Sequence, residues 1–162
     1  MRPRLTDPSI RRNLTLLTRD NANLDYLREY TDSSSDSEVI RLSLMYYEEL
    51  LYLRKNNKYV CINENKKRMH ITFDPNELDP IDNSAIKRNI LLSVASNIRI
   101  NRIRSLIEHK NDSSVVRVAI YLLDYFVRQY KNGHRFYLVE NEGQNETIER
   151  IKFFGFPSNE RF

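Results

Sequence analysis

The sequence predicts an α+β fold, mainly helical, in which one structural unit occurs twice. Residues 10–65 align without a gap with residues 86–141, and 14 of these 56 positions are identical. After four inserted residues the match resumes, with Ile71 opposite Ile151. Each copy also shows the same succession of patterns: a short apolar strand, two helices and a hairpin. We therefore predict a tandem duplication at a displacement of 76 positions, rather than a chance match in a chain rich in Asn, Arg and Leu.

The composition narrows the class of protein. With 40% hydrophobic residues, the 162-residue chain can form a globular core. Its net charge of +4 is only a weak indication of a polyanionic partner. We expect no membrane association, because no run approaches the roughly 20 apolar residues that span a bilayer. A single cysteine, Cys61, cannot form an internal disulfide and fits a cytoplasmic location. With three glycines, the chain does not offer a Gly-rich phosphate loop.

Each copy opens with a predicted strand, at residues 12–18 and 88–94. Alternation places Leu14 and Leu16 on one face, and Ile90 and Leu92 on the equivalent face of the second copy. A short helix follows, with Leu24, Leu27 and Tyr30 at helical spacing in the first copy and Ile100, Ile103 and Leu106 in the second. We expect residues 19–23 to separate the first strand from its helix.

A second, longer helix follows in each copy. Ser35 and Glu38 have the spacing of a capping box, and Asn111 stands at the equivalent cap position. We expect these helices to end near Asn57 and Gly133, because Asn and Gly favour helix termini.

Two strand-like runs around a polar turn close each copy. They cover residues 59–63 and 69–73, then 135–139 and 149–154. Between the copies, residues 74–84 carry two prolines and four acidic residues, which is typical of a linker. The predicted organisation is therefore a first unit at 1–73, a linker at 74–85 and a second unit at 86–162, with the two units sharing one core.

The two long helices begin with similar sequences, DSEVIR at residues 36–41 and DSSVVR at residues 112–117. A strand and a short helix followed by such a start resemble the ribbon-helix-helix superfamily of DNA-binding proteins, over about 45 residues in each copy. The resemblance implies that two copies pair, that their strands form an antiparallel ribbon in the major groove of DNA, and that their helices interlock. Duplication within one chain then gives an intramolecular pseudo-dimer, with each repeat followed by a β-hairpin outside the minimal family fold.

If the resemblance holds, the polar face of the ribbon contacts base edges. The predicted base contacts are Arg11, Asn13, Thr15, Leu17, Lys87, Asn89, Leu91 and Ser93. Asn can pair with adenine, Arg or Lys with guanine, Thr or Ser with several bases, and Leu with a thymine methyl. The alternative is a strand of an ordinary α+β protein, in which Leu17 and Leu91 are buried under another element.

The starts of the long helices are predicted to contact phosphate, since their free N–H groups attract anions. The predicted phosphate contacts are Ser35, Ser37, Asn111, Ser113, Arg99 and Arg102. The Ser and Asn residues can equally serve only as helix caps. Residues 1–80 have 13 basic and 13 acidic side chains, whereas residues 81–162 have 13 and 9. We therefore expect the second copy to bind the DNA backbone more tightly and the preferred site to be an imperfect palindrome.

The predicted function is sequence-specific binding of double-stranded DNA, as a transcriptional regulator or as an accessory protein of DNA transfer or partition. The alternative is a protein-interaction module that keeps the fold for dimerisation. We expect no enzyme activity, catalytic residue, metal or cofactor, because His70, His109 and His134 lie far apart in the sequence. Double-stranded DNA is the expected partner. A second copy on DNA, or a protein bound at the hairpins, is a further option, and the expected location is the cytoplasmic nucleoid.

Overall fold

The fold is α+β, with helices accounting for about half of the described residues. The computed structural model of the protein describes residues 9–64, 67–71, 80–141 and 143–151. The first copy comprises β1 (Ser9–Leu16), α1 (Thr18–Tyr30), α2 (Asp36–Lys55), β2 (Lys58–Glu64) and β3 (Lys67–His70). The second comprises β4 (Ile86–Ser93), α3 (Val94–Leu106), α4 (Asp112–Lys131), β5 (Phe136–Glu140) and β6 (Thr147–Arg150). The same order of elements thus occurs twice.

The strands β1 and β4 pair with each other to form a two-stranded antiparallel ribbon. Asn13 lies opposite Asn89, and the two residues occupy equivalent positions of the sequence alignment. A local two-fold axis therefore passes through this pair. One face of the ribbon is buried against the helices through Leu14, Leu16 and Leu92, which are almost fully inaccessible.

The two hairpins join into one four-stranded antiparallel sheet of order β3-β2-β5-β6. At its centre Cys61 lies opposite Tyr137, again at equivalent positions of the two copies. Further equivalent contacts are the hydrogen bond from Ile71 N to Val60 O, at 2.8 Å, and the one from Ile151 N to Phe136 O, at 2.9 Å. The sequence indicates each hairpin but contains no local indication that the two hairpins pair.

The helices interlock across the copies. The long helices α2 and α4 pack against each other, while α1 contacts α4 and α3 contacts α2. Each short helix therefore packs on the long helix of the other copy. One hydrophobic cluster contains buried residues from both copies, including Leu24, Val39, Ile100 and Val115, so neither copy encloses a separate core.

The long helices connect the ribbon to the sheet. Both begin beside the ribbon, and both lead through a short turn into a central strand of the sheet. At 1.5 Å per residue, a 20-residue helix spans roughly 30 Å. The four-stranded sheet therefore lies at the opposite end of the long helices from the ribbon and leaves the outer face of the ribbon uncovered.

The ends of the long helices agree with the capping pattern in most details. The Ser35 side chain accepts a hydrogen bond from Glu38 N, and the Asn111 side chain accepts one from Ser114 N. The Glu38 carboxylate accepts from the N–H of Ser34 rather than from that of Ser35, so the capping box is incomplete. At the C-terminal ends, Asn57 and Gly133 have positive φ values of 57° and 88°.

The first helix begins earlier than the sequence predicts. Thr18 is already helical, so residues 19–23 belong to α1, and β1 ends at Leu16. The Asp20 carboxylate accepts a hydrogen bond from Leu17 N at 2.8 Å, which stabilises this start. Asp20 and Asn23 are buried on the inner face of α1. Apolar residues at helical spacing begin only at Leu24, so the sequence pattern does not predict the first turn and a half of α1.

Part of the predicted linker, residues 74–79, lies outside the described residues, as do the predicted strand ends at 72–73 and 152–154. The remainder of the linker, residues 80–85, has no regular secondary structure. It contains a turn in which the Asp82 carboxylate accepts from Ser84 N and the Asp82 carbonyl from Ala85 N. None of the helices within the described ranges combines the length and apolarity that crossing a membrane requires.

Candidate nucleic-acid interface

The candidate site is the outer face of the β1–β4 ribbon. Residues paired across the ribbon point to the same face, and alternate residues along each strand do the same. The outer face therefore carries Ser9, Arg11, Asn13, Thr15, Lys87, Asn89, Leu91 and Ser93. None of these eight side chains is acidic, and two are cationic. This set contains seven of the eight predicted base-contacting residues.

The face is open to solvent at its centre. Arg11, Asn13, Lys87 and Asn89 are exposed, and so is Leu91, at 44% of its accessible surface. An exposed leucine beside cationic and amide side chains is apolar surface available to a ligand. The two strands hydrogen-bond to each other along their facing edges, and the inner face of the ribbon packs against the helices. No other element that the structure describes therefore covers the outer face.

Leu17 is the predicted base contact that the structure places elsewhere. It lies beyond the end of β1 as the N-cap residue of α1 and is only 3% exposed. Of the two leucines that the alternative interpretation expects to be buried, only Leu17 is buried, whereas Leu91 is exposed. Ser93, at the equivalent position, is half-buried and caps α3 by accepting a hydrogen bond from Ser96 N. The exposed face is thus centred on Asn13 and Asn89 and extends one residue less far than predicted.

A chain of hydrogen bonds orders the centre of the face. Asn89 Nδ2 donates to Asn13 Oδ1 at 2.9 Å, and an Arg11 guanidinium nitrogen donates to Asn89 Oδ1 at 3.3 Å. A carboxamide has two N–H donors and an oxygen with two lone pairs, so each amide retains capacity for a further ligand. The three side chains are therefore positioned relative to one another before any ligand binds.

An arginine cluster flanks the ribbon on the side of α4. Arg12, on the inner face of β1, donates to Asn97 Oδ1 at 2.6 Å and to Asp112 Oδ2 at 2.5 Å. Arg104 donates to the other oxygen of the same carboxylate at 3.0 Å. The cluster thus has two guanidinium groups and one carboxylate, and both arginine side chains are between 31% and 41% exposed. Its net charge is positive.

The equivalent cluster lies on the side of α2. Arg88 donates to Asn21 Oδ1 at 3.0 Å and to Asp36 Oδ2 at 2.5 Å, and Arg28 donates to Asp36 Oδ1 at 3.3 Å. All four residues are identical to their counterparts in the first cluster. Each cluster joins a strand of one copy to the short and long helices of the other. The alignment of the two copies shows that these residues are identical, but it does not predict that they form two contacts between the copies.

The helix starts contact the ribbon through their serines. The Ser37 hydroxyl donates to Leu91 O at 2.6 Å, and the Ser113 hydroxyl accepts from Thr15 N at 2.9 Å. Thr15 and Leu91 are equivalent residues, so both serines contact the same position of the ribbon, Ser37 as a donor to the carbonyl and Ser113 as an acceptor from the N–H. Together with the caps Ser35 and Asn111, four of the six predicted phosphate contacts therefore lie beside the ribbon.

The other two predicted phosphate contacts, Arg99 and Arg102, are held elsewhere. Both donate to the carboxylate of Glu48, Arg99 at 3.3 Å and Arg102 at 3.0 and 2.9 Å. Glu48 lies eleven residues after Ser37 on α2, which places it roughly 16 Å farther along the helix axis. The structure therefore assigns these arginines to a helix contact. Four arginines that were not among the six predicted phosphate contacts lie beside the ribbon instead: Arg12, Arg28, Arg88 and Arg104.

The three histidines lie in separate surroundings. His109 is buried and contacts Tyr47 Oη at 2.7 Å and Ser114 Oγ at 2.9 Å. Burial, with a smaller contribution from Arg104, lowers the pKa of His109 to about 4. The ring of His70 packs against that of Tyr59, with centroids 5.1 Å apart. In the ranges that the structure covers, no three His, Cys, Asp or Glu residues are grouped as metal ligands.

Comparison of the chain with protein-family models, with curated proteins and with solved structures finds no significant match.

Proposed function

We propose that the protein binds double-stranded DNA by inserting the β1–β4 ribbon into the major groove. The observation that carries the proposal is the outer face of the ribbon, which is exposed, free of acidic side chains and centred on Asn13 and Asn89. The major groove admits a two-stranded β-ribbon, and the side chains on this face are of types that pair with base edges.

The order of elements supports this proposal. A strand, a short helix and a long helix occur in each copy, the two strands pair, and the helices of the copies interlock. These are the features expected from the resemblance to the ribbon-helix-helix superfamily. We infer that the chain is a single-chain pseudo-dimer of that kind, in which covalent linkage supplies the second strand of the ribbon.

Backbone contacts in the proposed complex come from the two arginine clusters and from the starts of α2 and α4. Guanidinium groups and helix N-termini both bind phosphate. Arg28 and Arg104 are the most exposed members of the clusters, at 45% and 41% of their side-chain surface. Because these contacts displace counterions, affinity for a duplex should fall steeply with salt, by roughly a hundredfold or more between about 50 and 200 mM.

The test is a binding titration with a short random-sequence duplex, followed by fluorescence anisotropy. The double variant R11Q/K87Q removes both cations from the outer face and should weaken binding about tenfold or more. The matched control is K55Q/K131Q, which removes two cations from equivalent positions at the far ends of α2 and α4. Equal affinity of both variants, or no binding by the unaltered protein at low salt, would contradict the proposal.

Protein binding at the four-stranded sheet is a second candidate, favoured by its edge strands. Within the described part of the chain, β3 and β6 each pair with one strand only. Met69 on β3 and Ile148 on β6 are exposed, at 48% and 55%. Edge strands with exposed apolar residues are common sites of strand addition. Under this alternative M69K/I148K would abolish capture of a partner, whereas DNA binding by that variant would support the ribbon as a separate site.

A further inference from the structure

We propose that the ribbon recognises a non-palindromic DNA sequence and that the protein therefore binds its site in one orientation. This inference rests on the proposed function and adds which residues set the orientation. It follows from the register of the two strands and from the contrast between the outer face and the elements that flank it.

The arginine clusters and the serines that contact the ribbon are the same on both sides of the local two-fold axis. Arg12 and Arg104 have Arg88 and Arg28 as counterparts, with the same partners at similar distances. The helix starts approach the ribbon through Ser37 and Ser113 at equivalent positions. Phosphates are arranged alike along both strands of a duplex and carry no sequence information directly. Contacts from these elements alone would accept the protein equally well in either orientation.

The outer face differs on the two sides of the Asn13–Asn89 pair. On one side Arg11 lies opposite Leu91, and on the other Thr15 lies opposite Lys87. Side chains directly opposite each other in an antiparallel ribbon have Cβ atoms roughly 4.5–5.5 Å apart, so each pair acts on neighbouring bases. The two sides therefore offer different chemistry to the two halves of a DNA site.

The chemistry of each side indicates what it prefers. The planar fork of Arg11 pairs with two acceptors of guanine, and Leu91 offers apolar contact to a thymine methyl. Lys87 is a single-point donor without the fork of arginine, and the Thr15 hydroxyl pairs with several bases. The Arg11–Leu91 side should therefore specify guanine next to thymine, while the Thr15–Lys87 side discriminates less strongly. Asn13 and Asn89 fit adenine between them.

The charge difference between the copies does not supply this orientation. Arg99 and Arg102 account for half of the net charge of +4 in residues 81–162, but both bind Glu48 away from the ribbon. Arg104 is matched by Arg28. The expectation that the second copy binds the backbone more tightly is therefore replaced by equal backbone contacts and unequal base contacts.

The experiment makes the ribbon symmetric in two ways. T15L/K87R repeats the Arg11–Leu91 pair on the other side of the local two-fold axis, and R11K/L91T repeats the Thr15–Lys87 pair. Both variants leave the Asn pair, the arginine clusters and the buried face unchanged, and thermal denaturation confirms that each folds. Each protein, including the unaltered one, is used to select binding sequences from a random duplex library.

The unaltered protein should select a non-palindromic consensus, and each double variant should select a palindrome built from a different half of it. Replacing one half of the preferred site with the inverted repeat of the other half should cost the unaltered protein about tenfold or more in affinity. The variant that carries the matching pair on both sides should bind the resulting palindrome tightly. A palindromic consensus for the unaltered protein, or the same non-palindromic consensus for all three proteins, would overturn the inference while leaving DNA binding intact. If the unaltered protein bound no duplex, the proposed function itself would fall.

Discussion

In the arginine clusters beside the ribbon, the two copies carry the same residues at equivalent positions, whereas the charged contacts on the flanks of the helical layer differ between the copies. Asp36 and Asp112 each bind two arginines in the same geometry. On one flank Asp20 binds Arg117, and on the other the equivalent residues are Ser96 and Arg41. Each cluster contains residues of both copies. A substitution in one copy would therefore leave a residue of the other copy without its partner. The ion pairs of the flanks, Arg117 with Asp20 and Arg99 with Glu48, also join the two copies, but each occurs on one side of the local two-fold axis only.

The contrast extends along the flanks. On the α2–α3 side Glu48 binds Arg99 and Arg102. The equivalent Asp124 on the α1–α4 side binds Arg128 of its own helix, whose guanidinium carbon lies 4.0 Å from the centroid of the Tyr26 ring. At the position of Glu48 and Asp124, the α2–α3 side is therefore held by ion pairs between helices and the α1–α4 side by a cation–π contact.

Replacing Arg117 should cause the largest loss of unfolding free energy and the largest difference between the two flanks. In R117M the Asp20 carboxylate stays buried with one ionic partner fewer, since both side chains are less than 10% exposed. The expected loss is about 3 kcal/mol of unfolding free energy or more, measured by urea denaturation. R41M at the equivalent exposed position should change it by less than about 0.5 kcal/mol. Similar losses in the two variants would show that the buried pair is not what distinguishes the flanks.

The pH dependence of the unfolding free energy should depend on His109, whose equivalent in the first copy is Ser33. Its pKa is lowered from 6.5 to about 4 by burial, so between these values the unfolded chain binds more protons. This contribution is fully present above pH 6.5 and is lost as the pH falls towards 4, by at most about 3 kcal/mol. Denaturation at pH 7 and pH 4.5 should show a smaller acid loss for H109Q than for the unaltered chain. An identical acid loss would contradict the assignment.

The two arginine clusters should contribute equally to the unfolding free energy. R12Q and R88Q each remove the arginine that joins Asp112 or Asp36 to the ribbon, while Arg104 or Arg28 keeps the carboxylate paired. Each variant should lose about 1–2 kcal/mol of unfolding free energy, measured in parallel urea titrations. A difference between them of more than about 1 kcal/mol would show that the two clusters are not energetically equivalent.

The smallest effects are expected at the caps of the long helices. Ser35 and Asn111 differ chemically, but each accepts a hydrogen bond from the N–H three residues later. S35A and N111A should therefore each cost about 1 kcal/mol of unfolding free energy in thermal melts. Loss at only one of the two positions would show that the caps are not interchangeable.

Features that depend on local sequence were largely predictable. The order of elements, the caps at Ser35 and Asn111 and the helix ends at Asn57 and Gly133 follow from spacing and from the conformational preferences of single residues. The exposed face of the ribbon follows from alternation along the strands.

Features that depend on distant partners were not predictable. Arg99 and Arg102 resemble phosphate ligands until Glu48, more than 50 positions earlier, is placed beside them. The early start of α1 depends on a buried Asp20 whose partner, Arg117, is 97 positions away. The joining of the hairpins into one sheet is likewise a non-local pairing. In each case a polar group that the sequence pattern assigns to solvent is satisfied by a contact within the fold.

The central claim, that the outer face of the ribbon contacts DNA, is tested most directly by nuclear magnetic resonance. A ¹⁵N-labelled sample titrated with a random-sequence duplex at low salt reports each backbone amide and each Asn side-chain amide separately. The largest shifts should occur at the side-chain amides of Asn13 and Asn89 and at the backbone amides of Arg11 and Leu91, and Val139 in the distant sheet should stay unchanged. Shifts concentrated in the four-stranded sheet, with the ribbon unaffected, would contradict the account.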